Sequence, residues 1–124
     1  MKLAEVVRTL DLEVRSAHRN LDREVTGGYA SDLLSDVIAN TAEGDLWITL
    51  QTHVNVVAVA SMKELSGIIL VNGREPAEET RQKAETEGIP MMVGKLPTFE
   101  LAGRLYEMGL RGRAGEEIRK TGHH

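Results

Sequence analysis

Apolar residues recur along this chain in two rhythms, one helical and one of alternating strand positions. In Lys2 to Leu10, the residues Leu3, Val6, Val7 and Leu10 fall on one side of a helix, and Leu12-Glu13-Val14 then alternates as a short strand does. The polar stretch from Ala17 to Val25 runs into Thr26-Gly27-Gly28, where the glycines supply the backbone freedom of a turn. Leu33, Leu34, Val37 and Ile38 predict a helix that Ser31 or Asp32 is suited to cap and that ends near Asn40. Leu46 to Leu50 is a β-rich run bounded by turn chemistry, which reads as a strand.

Val54 to Leu65 admits two readings. Its β-branched Val54, Val56, Val57 and Val59 suit a continued strand, whereas its length and lack of an internal turn favour a helix capped by Thr52, with Gly67 at the C′ position. Ile68 to Val71 is continuously apolar, as a central parallel strand buried on both faces requires, and Asn72-Gly73 closes it. Pro76 opens a further helix, with Glu79 and Lys83 spaced for an ion pair, Ala77 and Ala84 as its thin apolar stripe and Gly88 at its end. Ile89 to Val93 is a short strand. Thr98 is suited to cap the last helix, whose inner face is predicted to carry Phe99, Ala102, Leu105 and Tyr106, and Gly109 ends it.

Strand and helix alternating through short connections define the fold class: α/β, a mainly parallel β-sheet flanked by helices on both faces, in a single three-layer domain. The domain is expected over residues 1–110, with residues 111–124 as a flexible charged tail. The helix from Val54 has apolar side chains pointing in nearly every direction. One sheet face cannot cover them all, so either a neighbouring helix or a second copy of the chain must; a homodimer is the expectation.

Composition narrows the function. The 124 residues suffice for one domain, and fifteen Lys and Arg against nineteen Asp and Glu give a net charge of −4, which argues against a nucleic-acid or anionic-membrane surface. Four aromatic residues provide no stacking platform for single strands. Without cysteine there is no disulfide, thiolate metal site or cysteine nucleophile. No run is apolar enough for a signal peptide or a membrane span, so the expected compartment is the cytoplasm.

No motif names a reaction. Gly94-Lys95 is followed by Leu96, without the glycine spacing and hydroxyl of a phosphate-binding loop, and no histidine pair has metal-ligand spacing, so neither a cofactor nor a metal is implied. Asp32 and Asp36 share a helical face, and with His53 they are the candidates for a small hydrolase or transferase; capping and solvation also account for them. Trp47 reads as strand packing. In open α/β sheets ligands bind beyond the carboxyl ends of the strands, near a reversal of strand order. Thr52, His53, Asn72, Gly73, Arg74, Gly94 and Thr98 fall at that edge, close to helix starts that favour an anion, with Lys95 adding charge. They are the predicted site for a nucleotide or small anion.

The stretch from Asp22 to Val37, DREVTGGYASDLLSDV, resembles the segment that identifies DRTGG-domain proteins. Asn55 to Ala60, Gly67 to Gly73, Gly88-Ile89-Pro90 and Thr98-Phe99-Glu100 resemble further blocks of that family at similar spacing, so the likeness runs from about Val7 to Leu110. Where the family has its naming motif, this chain spreads the arginine, threonine and glycines over Arg23-Glu24-Val25-Thr26-Gly27-Gly28. Family members are similar to the N-terminal domain of bifunctional HPr kinase/phosphorylase, and occur beside CBS domains in inorganic pyrophosphatases and next to phosphotransacetylase domains. The resemblance implies a non-catalytic regulatory, ligand-sensing or subunit-contact module, one that acts with an unidentified protein partner or with a second copy.

Overall fold

A computed structural model describes residues 1–112, and of the tail expected over residues 111–124, all but the first two lie outside the described residues. The element order is α1 (Leu3–Leu10), β1 (Glu13–Ser16), a 3-10 turn (His18–Asn20), β2 (Gly27–Ala30), α2 (Leu34–Asn40), β3 (Asp45–Thr49), α3 (Asn55–Met62), β4 (Gly67–Leu70), α4 (Glu78–Glu87), β5 (Met91–Val93) and α5 (Thr98–Glu107). The strands form one sheet in the order β1-β5-β4-β3-β2, with β2 to β5 parallel and β1 antiparallel at the β5 edge. The predicted class, a mainly parallel α/β sheet in three layers, is the observed one.

The consecutive order of the parallel strands decides where the helices go. Crossovers of one hand that step the same way along a sheet must lie on the same face. Accordingly Val37 of α2, Val56, Val57, Val59 and Ala60 of α3 and Ala84 of α4 bury against Trp47, Ile68, Leu70 and Met91. The other face buries Leu3 and Val6 of α1 and Leu101 and Leu105 of α5 against Leu46, Ile48, Ile69 and Met92. Residues 17–26 cross from β1 to β2 along the amino edge of the parallel strands: Leu3 donates its N–H to Arg23, Val25 to Met1 and Thr26 to Gly44.

Several local expectations are corrected. Gly27 and Gly28 are not a turn; they begin strand β2, paired with Asp45 and Leu46 of β3. A side chain at Gly27 would lie 2.7 Å from Asp45 Oδ1 and 2.9 Å from the Arg111 carbonyl, so glycine serves close approach and not chain reversal. Arg111, placed in the tail by sequence, accepts the Gly28 N–H at 3.3 Å.

Helix α3 stops at Met62, with Glu64 in the left-handed region at φ 54°, while Gly67 belongs to β4. Val56, Val57, Val59 and Ala60 of α3 are covered within the chain by the sheet and by α2 and α4, and only Ala58 and Met62 of its apolar residues are exposed, so its valines supply no argument for a second copy. In α4 the buried residues are Thr80 and Ala84, with Ala77 exposed, and the ion pairs are Lys83–Glu87 and Arg81–Glu78 in place of Glu79–Lys83. In α5 the inner face is Leu101 and Leu105. Phe99 and Tyr106 point outward, 85% and 55% exposed.

Candidate ligand site at the carboxyl edge

The carboxyl ends of β3, β4 and β5 lie side by side, and the seven predicted site residues follow them in order. After β4, Asn72 and Gly73 both adopt positive φ, 57° and 65°, and Arg74 donates its N–H to the Val71 carbonyl at 3.1 Å. Two consecutive left-handed residues closed by such a bond make a tight turn that Asn-Gly favours. The turn is bolted to the next loop, since Asn72 N–H donates to Leu96 at 3.0 Å and Gly73 N–H to Gly94 at 2.8 Å. Gly94 is buried and offers only backbone; a Cβ there would sit 3.0 Å from Leu12 Cδ2.

Arg74, which closes the turn, is exposed, and Lys95 is exposed in the loop to which that turn is bonded. The neighbouring Glu75 is held elsewhere: Arg15 of β1 donates Nε and Nη2 to its two oxygens, both at 2.7 Å, and holds its carboxyl below the usual range. Neither Arg74 nor Lys95 forms an ion pair among the described residues.

Thr52 and His53 form a second group after β3. Thr52 is half-buried and its carbonyl accepts the Ala77 N–H at 3.3 Å and the Thr80 hydroxyl at 2.8 Å, which ties this loop to the start of α4. Its side chain is not a cap, and His53 is exposed. Thr98 is the first residue of α5, half-buried, and Pro97 holds the cap position without a side-chain bond. The structure therefore brings Asn72, Gly73 and Gly94 into one bonded unit with Arg74 at its tip. Thr52 is bonded to α4 and not to that unit. The four parallel strands run in consecutive order, so no reversal opens a crevice among them.

Asp32 and Asp36, the candidate acids, are engaged separately. Asp32 Oδ1 accepts the Thr49 hydroxyl at 2.9 Å and the Leu50 N–H at 2.7 Å, fastening the entry to α2 onto the end of β3. Asp36 accepts the Tyr29 hydroxyl at 2.8 Å and Asn40 Nδ2 at 2.9 Å; hydrogen bonds from Ser31 and Tyr29 hold its carboxyl below the usual range. The hydrogen bond to Asp36 in turn pushes the Tyr29 phenol up. Neither is an N-cap, and Ser31 Oγ instead accepts the Leu33 N–H. Trp47 is wholly buried and donates Nε1 to the Ser31 carbonyl at 2.8 Å.

A cleft of about 480 Å³ lies at the opposite, amino edge, lined by Arg23, Glu24, Glu43, Glu64, Leu65 and Glu87 among others. Sequence reasoning missed it because its walls come from four separated segments with no shared motif. Four glutamates against one arginine disfavour an anion there. Glu24 is further held in its charged form by the amino terminus and Lys2. Among the described residues no helix is long and apolar enough to cross a membrane.

A parallel α/β sheet of this order, with a Gly-Gly edge strand and bonded carboxyl-edge loops, belongs to a known class. The DRTGG domain model matches residues 5–108, and the chain is a member of that family. Its fold is similar to the crystal structure of the CBS and DRTGG domains of the regulatory region of Clostridium perfringens pyrophosphatase, complexed with the activator diadenosine tetraphosphate. The TM-score is 0.67 at 16% identity, covering 82% of this chain and 44% of that one, so this chain spans less than half of the neighbour's length. Among curated proteins none matches.

Proposed function

We propose that this chain is a regulatory module that senses a nucleotide or small anion by binding it at the carboxyl edge, without carrying out chemistry. The observation that carries the reading is the family membership, joined to the likeness in fold to the CBS and DRTGG domains of a pyrophosphatase regulatory region complexed with its activator diadenosine tetraphosphate. The geometry favours the carboxyl edge over the amino cleft. Arg74 and Lys95 stand exposed there without ion pairs among the described residues, beside a turn rigidified by two backbone bonds, whereas the amino cleft is acidic.

The non-catalytic part of the reading is supported by Asp32 and Asp36, whose oxygens are used in structural hydrogen bonds on different partners. In the same way the resemblance to the N-terminal domain of HPr kinase/phosphorylase is read as one of fold and regulation, with no transfer of phosphate from ATP. A thermal-shift screen with AMP, ATP, diadenosine tetraphosphate and inorganic phosphate tests the proposal. At 100 times its Kd a ligand stabilises by about 2.7 kcal/mol. The expected result is a rise in Tm with at least one nucleotide, abolished in the Arg74→Glu/Lys95→Glu double variant. No shift with any of the four, or a shift that the double variant retains, would refute it.

A further inference from the structure

Strand β1 is irregular at one residue. Val14 stands opposite Met92 of β5 and Ser16 opposite Met91, so Arg15 is the extra residue of a β-bulge. Such an insertion interrupts the ladder and re-aims the side chain it carries. The buried Ser16 hydroxyl bridges the interruption, donating to the Ile89 carbonyl at 2.8 Å and accepting the Met91 N–H at 3.0 Å. Arg15 is thereby aimed at two carboxylates. Its Nε and Nη2 donate to the two oxygens of Glu75, and Nη2 donates as well to Glu13 Oε2, all at 2.7 Å. Both acids border the carboxyl edge: Glu75 follows Arg74 directly, about 3.8 Å away between Cα atoms, and Glu13 pairs in register with Val93, which stands just before Gly94 and Lys95.

We infer that Arg15 is a positioning residue for the anion site, one guanidinium that engages Glu13 and Glu75 and so keeps Arg74 and Lys95 free for a ligand; the inference rests on the ligand reading above. Exposed charges interact over roughly 10 Å in dilute salt, a range that neighbouring residues on one edge share. Without Arg15 the two carboxylates would be left to pair with Arg74 and Lys95, which form no ion pair among the described residues. A bound anion would then have to displace an internal pair or sit beside uncompensated negative charge. The planar guanidinium suits the task, because its fork takes one carboxylate on two N–H groups and still has a donor for the other, whereas a lysine ammonium has no such fork. Exposed ion pairs contribute little to stability, so the consequence of this arrangement is where charge stands at the edge and not how firmly the fold is held.

Calorimetric titration of the whole chain with ATP and with diadenosine tetraphosphate tests the inference. Arg15→Met is expected to weaken binding about threefold to tenfold, within the range that two competing exposed ion pairs span. The difference from wild type should shrink at about 0.5 M salt, which a loss of packing would not do. Adding Glu13→Gln and Glu75→Gln to Arg15→Met should bring the affinity back to within about twofold of wild type, since no carboxylate is then left to compete. Binding indifferent to Arg15→Met would overturn the inference, as would a triple variant as weak as Arg15→Met, in which case Arg15 acts as a cation in its own right. A second arm without ligand separates this outcome from failure of the ligand reading. The carboxyl carbon of Glu75 is followed by NMR through its titration, with Arg15, Glu13, Arg74 and Lys95 as the charged groups around it. Arg74→Gln should leave that titration in place when Arg15 is present and raise it in the Arg15→Met background. If neither nucleotide binds the wild type, the ligand reading falls and this arm alone judges the clamp: a Glu75 titration that responds to Arg74→Gln with Arg15 present, or that ignores it with Arg15 removed, would overturn it.

Discussion

Gly27 shows how one residue can be read correctly as special and wrongly as to why. Its pair with Gly28 has the composition of a turn, and turn and strand glycines cannot be told apart without knowing what approaches them. Here the approach is double, by the Asp45 carboxylate within the sheet and by the Arg111 carbonyl outside it. Asp45 is itself fixed, since its Oδ2 accepts the Ala42 N–H at 2.9 Å. Gly27→Ala must therefore push apart β2 and either its neighbouring strand or the chain at Arg111, and overpacking of this kind costs about 1–3 kcal/mol. Urea unfolding should show that loss as a lowered midpoint with unchanged slope. The same limitation explains the caps. Ser31, Asp32, Thr52 and Thr98 stand next to helix starts, where short polar side chains usually cap. The structure uses Asp32 and the Thr52 backbone to join neighbouring loops instead, a contact between strands that lie apart in sequence.

At the scale of elements, what was legible followed from periodicity over many residues. The helices α1 to α5 and the strands β3 to β5 stand close to where apolar spacing predicts them, and Val54 onward is a helix despite its valines, because the sheet and two flanking helices bury them. What escaped was which face of a short helix turns inward. In α5, Phe99 and Tyr106 have the right period but lie about 130° from the line that Leu101 and Leu105 set, and with few residues the larger rings outweigh the true stripe. Long polar side chains do a further share of joining the elements. Glu85 of α4 accepts the Ala17 N–H at 2.9 Å and pairs with Arg19, and Arg19 also donates to the Glu85 carbonyl. The backbone bond from Ala17, followed by Arg19, holds the Glu85 carboxyl below its ordinary range. A group whose folded pKa is depressed contributes stability above its unfolded pKa, about 4.3 for Glu, and loses it as the pH falls through the folded value. Melting temperature should accordingly drop as the pH falls below about 5, and Glu85→Gln should lower the Tm at pH 7 while flattening that drop. An equal slope in wild type and variant would show that the Ala17–Glu85–Arg19 contact has no part in acid sensitivity.

The whole molecule has two edges of opposite charge. Its sheet runs consecutively from β2 to β5, which places α2, α3 and α4 on one face and leaves α1 and α5 on the other. The amino edge is crossed by residues 17–26 and carries the acidic cleft; the carboxyl edge carries the Asn72-Gly73 turn, Arg74 and Lys95. That the seven predicted residues share one edge was legible, because strand-helix alternation fixes which loops end up together. The amino cleft was not, because it depends on where the β1–β2 connection crosses. The central claim is that an anionic ligand binds the carboxyl edge and leaves unchanged. Amide spectra of the isotope-labelled chain, recorded by NMR during titration with diadenosine tetraphosphate or ATP, test it most directly when the phosphorus spectrum of the same sample is followed. Binding without turnover predicts shifts concentrated at Thr52, His53, Asn72, Gly73, Arg74, Gly94 and Thr98, with phosphorus signals that show no cleavage products. Shifts centred instead on Arg23, Glu43, Gly44 and Glu64, the absence of any shift, or steady release of cleaved phosphate would contradict it.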